Sequence, residues 1–284
     1  MIIDVHYHVG TCAFGRYDFS IDRQWVRDEM RQFDIQKTIV FPYRYPGSYD
    51  HLNREILNLF ADENILPFAR IRFNFKSMDA LKYLSVIKIR SPHKRIQRAL
   101  KEIMGRKGIA PYRNEEEEKI RFAEIMRRSS GIKFHDNQDG HLHENHFQYL
   151  LSFEKPIVFH INPFKLDYFL SLHAAHVRSP IVIAHLGASD GDSIYLAKTI
   201  DLLKNYDFLY TDTAAHVCAN HVIPFLREVP KKILFGSDGP VVSQGSIRYL
   251  IEQTGRAMFN DKGAGLQMIA DNSAAFCRAA GWNA

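Results

Sequence analysis

The runs Pro180-Ile181-Val182-Ile183-Ala184-His185 and Pro156-Ile157-Val158-Phe159-His160 are apolar without alternation, and each closes on a histidine. A strand with one wet face alternates apolar and polar side chains, so an uninterrupted run describes a strand covered on both faces, as in a parallel sheet flanked by helices. Six further β-rich runs join them, over 2–8, 37–44, 67–75, 131–135, 208–213 and 233–237. Between the runs, several stretches carry apolar residues at three- and four-residue intervals, and helices are predicted over 22–33, 52–64, 114–128, 146–154, 166–177, 193–205, 222–229 and 246–260. Eight strand and helix units predict a (β/α)8 barrel, and a chain of 284 residues suits one such domain spanning 1–284. A last amphipathic helix is predicted over 265–282.

About 55 residues separate the third and fourth runs, against roughly 30 for an average barrel unit. An inserted helical segment is therefore expected at about 76–112. It carries Lys82, Lys88, Arg90, His93, Lys94, Arg95, Arg98, Lys101, Arg106 and Lys107, and the acidic run Glu115-Glu116-Glu117-Glu118 follows. A solvated helical excursion is the plain expectation, with a lid over the barrel mouth or a basic surface for an anionic ligand as alternatives. Much of the formal net charge of +5 lies in this stretch, so it bears on a local surface more than on overall class. Cys12, Cys218 and Cys277 form no CxxC pair and no secreted-type framework, which favours reduced thiols and a cytoplasmic location. The amino terminus has no signal-type pattern, and no run approaches the roughly 20 apolar residues of a membrane span.

In a barrel of this kind the loops after the strands converge on one mouth, so chemistry should collect at the strands' carboxyl ends. His6 and His8 end the first strand, Lys133 and His135 the fourth, His160 the fifth and His185 the sixth, and Asp238 follows the eighth. Residues two apart on a strand share a side of the pleat, so His6 and His8 can converge on one ion, and imidazole suits zinc, iron, nickel or copper. Taken together, the strand-end set predicts a metal site.

These residues lie in Ile3-Asp4-Val5-His6-Tyr7-His8, Gly131-Ile132-Lys133-Phe134-His135, Ile157-Val158-Phe159-His160, Ile183-Ala184-His185-Leu186-Gly187 and Ile233-Leu234-Phe235-Gly236-Ser237-Asp238-Gly239-Pro240, with Asn272-Ser273-Ala274-Ala275-Phe276 near the end. The pattern resembles the amidohydrolase superfamily, within it the amidohydrolase-related branch that includes aminocarboxymuconate semialdehyde decarboxylase. The resemblance implies that His6, His8 and His160 bind one divalent metal, zinc foremost. It implies that Asp238 completes the shell or takes a proton from metal-bound water, and that His185 hydrogen-bonds that water or a substrate carbonyl. Other branches of the superfamily bridge two metals with a carboxylated lysine at the position of Lys133. Here a free ammonium that orients an acidic substrate, or a structural salt bridge, is preferred over a second ion. His135 shares the mouth with it, and a homodimer is the expected assembly.

Arg16, Arg44 and Arg72, the last beside Asn74, lie in or near the mouth loops and can grip a carboxylate bidentately, which suggests a small carboxylated substrate. Asp212 and His216, near the seventh strand, can support a ligand or the residues around the metal. The leading expectation is a hydrolase that directs metal-bound water onto an amide, lactone or related carbonyl. A nonoxidative decarboxylase is the alternative, using the same residues. Nucleic-acid processing is a minor third reading: barrel DNases also begin with HxH, but they carry acidic ligands where this chain has Lys133 and a Glu-Thr-Asp type element where it has Gly236-Ser237-Asp238.

Overall fold

A computed structural model describes residues 1–12, 19–45, 48–60, 62–73, 114–188 and 191–282. Arg16, Asn74 and the expected insertion at 76–112 lie outside the described residues. The strands are β1 (Ile3–Cys12), β2 (Phe19–Ile21), β3 (Lys37–Pro42), β4 (Ile65–Arg70), β5 (Gly131–His135), β6 (Ile157–His160), β7 (Ile181–Ile183), β8 (Leu209–Asp212) and β9 (Ile233–Leu234). They form one sheet in the order β2-β1-β3-β4-β5-β6-β7-β8-β9, parallel except for the β1–β2 pair. Bridges from Asp4 to Phe235 and from Tyr7 to Gly239 close β9 onto β1, and Val5 N–H donates to the Phe235 carbonyl at 2.9 Å. The eight parallel strands thus make the predicted barrel, with β2 as a short antiparallel flap on β1. Three residues are too few to show a period of two, so β2 left no signal in the sequence.

The described helices are α1 (Arg23–Gln32), α2 (Asp50–Leu59), α3 (Glu115–Met126), α4 (Glu144–Leu151), α5 (Pro163–His173), α6 (Ser193–Asn205), α7 (Ala219–Glu228), α8 (Gln244–Phe259) and α9 (Lys262–Ala279). Asp22, Asn114, Asn162, Asp192 and Ser243 start five of them by accepting a first-turn N–H, the usual service of short polar side chains at that position. Ile3, Val5, Ile39, Phe41, Phe68, Val158, Val182 and Leu234 fill one buried cluster, joined by Phe276 and Cys277 of α9. A second, larger cluster packs the outer faces of the strands against the helices.

Two predicted strands end early for visible reasons. The third was expected to reach residue 75, but β4 stops at Arg70, whose N–H and carbonyl are both taken by the Asn53 side chain at 2.9 and 2.8 Å. The sixth was expected to reach His185, but β7 stops at Ile183 because His185 and Leu186 adopt positive φ of 57° and 51° in a tight turn.

Candidate metal centre

The first strand is not regular where it matters. Asp4 pairs with Thr38 and Tyr7 with Val40, so three steps of β1 span two of β3, a bulge of one residue. A bulge changes which face the following side chains take. Ile3 and Val5 pack with Phe41 in one buried cluster, whereas Tyr7 and Val9 join the other. His6 and His8 then lie on the Phe41 side, with ring centroids 5.1 and 4.8 Å from that of Phe41. Asp4 fastens the bulge. Its carboxylate accepts from the N–H groups of His6 and Ser237, both at 3.0 Å, from Ser237 Oγ at 2.6 Å and from Gln244 Nε2 at 2.9 Å. Burial pushes the Asp4 carboxyl up to about 7 in spite of these donors.

One donor atom each from His6, His8 and Asp238 lies within 4.8 Å of the others. Asp238 Oδ1 is 3.4 Å from His6 Nε2 and 3.2 Å from His8 Nε2. Ligands at about 2.0–2.1 Å from a tetrahedral ion sit roughly 3.3 Å apart, so these separations match a first coordination shell. The tautomer of His6 also fits. Asp212 can only accept, so His6 Nδ1 donates to its Oδ2 at 2.9 Å and Nε2 keeps its lone pair. Lys133 Nζ donates to that lone pair at 3.2 Å. Burial first, then the charges of Lys133 and the neighbouring imidazoles, hold His6 well below its usual pKa. Burial likewise takes His8 down to about 4, so both rings are neutral and able to coordinate. Burial alone would raise Asp238, but the His8 hydrogen bond and the fields of His185, His8 and Lys133 hold it below the ordinary carboxylate range. The residues present therefore fit a divalent ion.

The other predicted residues surround this cluster. His185 N–H donates to Asp212 Oδ1 at 2.7 Å and its Nδ1 donates to the Ala214 carbonyl at 3.0 Å, which leaves Nε2 as its acceptor. Its ring centroid is 4.7 Å from that of His6 and 4.6 Å from that of His160. Asp212, fully buried, thus holds the His6 imidazole with one oxygen and the His185 backbone with the other. His216 Nε2 donates to the His185 carbonyl at 2.7 Å. His160 stands outside the three-donor group; it stacks on His135 at 3.8 Å. Lys133 is buried with its ammonium 4.8 Å from the centre of the Phe41 ring, and burial lowers its pKa.

The arginines divide. Arg72 is buried and donates to the Tyr45 carbonyl, and Arg44 lies over the Tyr43 ring at 5.8 Å. The sequence reading passed over Arg70, whose Nε donates to Asp139 Oδ2 at 2.7 Å, Nη1 to the Pro42 carbonyl at 3.1 Å and Nη2 to Gln138 at 3.2 Å. Asp139 also accepts from Tyr49 Oη and from the His135 N–H, both at 2.9 Å. A signal existed, since Arg70 stands two residues before Arg72 at a strand end.

Solved structures share this architecture along the whole chain. A probable 2-pyrone-4,6-dicarboxylic acid hydrolase from Acinetobacter baumannii, with citric acid bound, superimposes with a TM-score of 0.60 at 13% identity, covering 97% of this chain and 98% of that one. An amidohydrolase from Burkholderia multivorans with bound zinc gives 0.56 at 13% identity, covering 100% of both. The 2,6-dihydroxybenzoate decarboxylase from Rhizobium gives 0.52 at 11%, covering 98% of both. The fold is that of the amidohydrolases. No protein-family model and no curated protein sequence matches the chain. His6 and His8 stand in the middle of β1, and Asp238 follows β9 by four residues, bringing the three together at the β1–β9 seam.

Proposed function

We propose that the chain is a metal-dependent hydrolase acting on an amide, lactone or related carbonyl of a small carboxylated molecule. The observation that carries this reading is the spacing of three donor atoms, 3.2 and 3.4 Å from Asp238 to His8 and His6, on a histidine whose tautomer is set by Asp212. A single divalent ion there, zinc foremost, would act as a Lewis acid and lower the pKa of a coordinated water toward about 7. Asp238 takes the proton from the attacking water through its free carboxylate oxygen. His185, with Nδ1 held by the Ala214 carbonyl, presents its Nε2 lone pair as a hydrogen-bond acceptor that orients the attacking water. Lys133 orients the acidic substrate or holds His6. His160 and His135 line a cavity of about 180 Å³ together with Asn162 and Tyr195, a space for one small ring or carboxylate.

Decarboxylation is the second reading. It is supported by Lys133, buried with its ammonium 3.2 Å from His6 Nε2, which would favour a carboxylate close to the ion, and by the architecture shared with 2,6-dihydroxybenzoate decarboxylase. A panel of lactones, amides and aromatic or muconate-type acids, followed for product and for carbon dioxide after loading with zinc, tests both. Hydrolysis predicts incorporation of labelled water without carbon dioxide release, and the reverse pattern sinks it. His6→Ala is the control: it should lose the bound ion and all turnover, and an unchanged metal stoichiometry would overturn the site.

A further inference from the structure

The turn that carries His185 is held by more hydrogen bonds than its buried carbonyl requires. His185 and Leu186 both take positive φ, 57° and 51°, a conformation that crowds the β-carbon and that consecutive residues other than glycine seldom share. The His185 carbonyl is already satisfied by the Ala188 N–H at 2.9 Å. A second donor nonetheless reaches it from the loop after β8, His216 Nε2 at 2.7 Å. His216 is buried, and its Nδ1 lies 3.1 Å from Nδ1 of His221 on the first turn of α7.

The protons along this row follow one from the next. A carbonyl only accepts, so His216 Nε2 carries a hydrogen. Burial lowers the His216 pKa, so the ring is neutral and its Nδ1 holds a lone pair. His221 Nδ1 is therefore the donor of the 3.1 Å bond. The backbone at Gly191 closes over the His221 ring, since a β-carbon there would lie 2.2 Å from its Cε1. Gly187 and Ala188, between His185 and that glycine, line the cavity beside the cluster.

We propose that His216 and His221 are a positioning pair for His185, a role that rests on reading His185 as the group that orients the attacking water. His221 selects the His216 tautomer, and His216 fixes the turn from which the His185 ring projects. Three contacts then hold His185 from the β8 side: Asp212 Oδ1 on its N–H at 2.7 Å, the Ala214 carbonyl on its Nδ1 at 3.0 Å, and His216 on its carbonyl. Packing does not account for the pair. A leucine or phenylalanine fills a buried site without a second ring nitrogen that must find a partner of its own.

His221→Phe keeps a ring under Gly191 but cannot donate, whereas His221→Asn offers an amide N–H near the place of Nδ1. Nitrogen NMR of the zinc-loaded, full-length protein with isotope-labelled histidine should show Nδ1–H at His185 and Nε2–H at His216. In His221→Phe the His216 ring should become a mixture of tautomers, and the His185 Nδ1–H should exchange with solvent at least about tenfold faster. His221→Asn should restore both signals. On a substrate from the panel above, His221→Phe should lower kcat about tenfold with KM changed less than about twofold, and His221→Asn should recover it. A wild-type His216 protonated on Nδ1, unaltered His185 signals in His221→Phe, or an equal fall of kcat in both variants overturns the proposal. The imidazole signals are read without substrate, so they decide the positioning pair even where nothing on the panel turns over.

Discussion

Histidines cap two different parts of the barrel mouth, and their surroundings differ in one respect. At the β1–β9 seam, the Asp238 carboxylate faces the Nε2 atoms of His6 and His8 at 3.4 and 3.2 Å. At the β5–β6 ends, His135 and His160 stack at 3.8 Å, and the nearby carboxylates are committed elsewhere. Asp136 holds Lys165 at 2.9 Å and the Leu142 N–H at 2.9 Å, and Asp139 holds Arg70, Tyr49 and the His135 backbone. Burial, with neighbouring positive charge, drives the imidazoles of both regions below their usual pKa, so neutrality does not separate them. What separates them is a carboxylate oxygen within 3.4 Å of two imidazole Nε2 atoms. A histidine on a barrel strand is thus a ligand candidate, and a carboxylate beside its Nε2 makes the stronger case.

The comparison breaks most sharply at Asp238. Asp238→Asn keeps an oxygen that can coordinate but removes the group that takes a proton. Turnover should fall by about 10²–10⁴-fold with the ion content retained; more than a tenth of wild-type activity would make Asp238 a ligand only. The corresponding carboxylate of the other region does structural work, so its loss should appear as stability. Arg70→Met leaves the Asp139 carboxylate, which is fully buried, without its guanidinium. Breaking a buried pair in this way costs about 3–5 kcal/mol, readable as a lower urea midpoint. A shift of under about 1 kcal/mol would mean that Tyr49 and the His135 N–H satisfy Asp139 unaided.

The contrast also explains what was legible in the sequence. The barrel strands were readable as short β-rich runs, some of them, such as 157–159 and 181–183, apolar without alternation because both faces are covered, and the histidines stood out within or at the ends of the runs. The spacing of His6 and His8 put them on one face, as found. The bulge at Asp4–Tyr7 was not readable, because it depends on Asp4 accepting from Ser237 and Gln244, more than 230 residues away. For the same reason Asp139 was invisible: a loop aspartate acquires its meaning only when Arg70 and Tyr49 arrive from β4 and the start of α2. His160 was read as a ligand by resemblance, and its stacking on His135 was not readable because it depends on β5 and β6 lying side by side with these two residues in register.

Asp212 tests how the seam region is held. Its Oδ2 sets the His6 tautomer and its Oδ1 accepts from the His185 N–H. Asp212→Asn can present an amide N–H to His6 and stabilise the wrong tautomer. The affinity for zinc, measured by chelator competition, should fall about 10–100-fold, the usual effect of removing such a carboxylate. An unchanged affinity would show that burial by itself orients the ring.

The smallest effect is expected at His160, and it sharpens the boundary between the two regions. Its ring rests on His135 and lines the cavity beside the cluster, while its nitrogens lie outside the three-donor group. His160→Ala should keep one equivalent of ion, because His6, His8 and Asp238 remain. Removing one wall of the cavity should instead raise KM by about tenfold, the equivalent of one modest contact of about 1.4 kcal/mol, and change kcat little. Loss of the ion in this variant would bring His160 into the shell. His135 would then be the residue that positions a ligand, and its stacking contact, with the Asp139 bond to its backbone, would do for His160 what Asp212 does for His6.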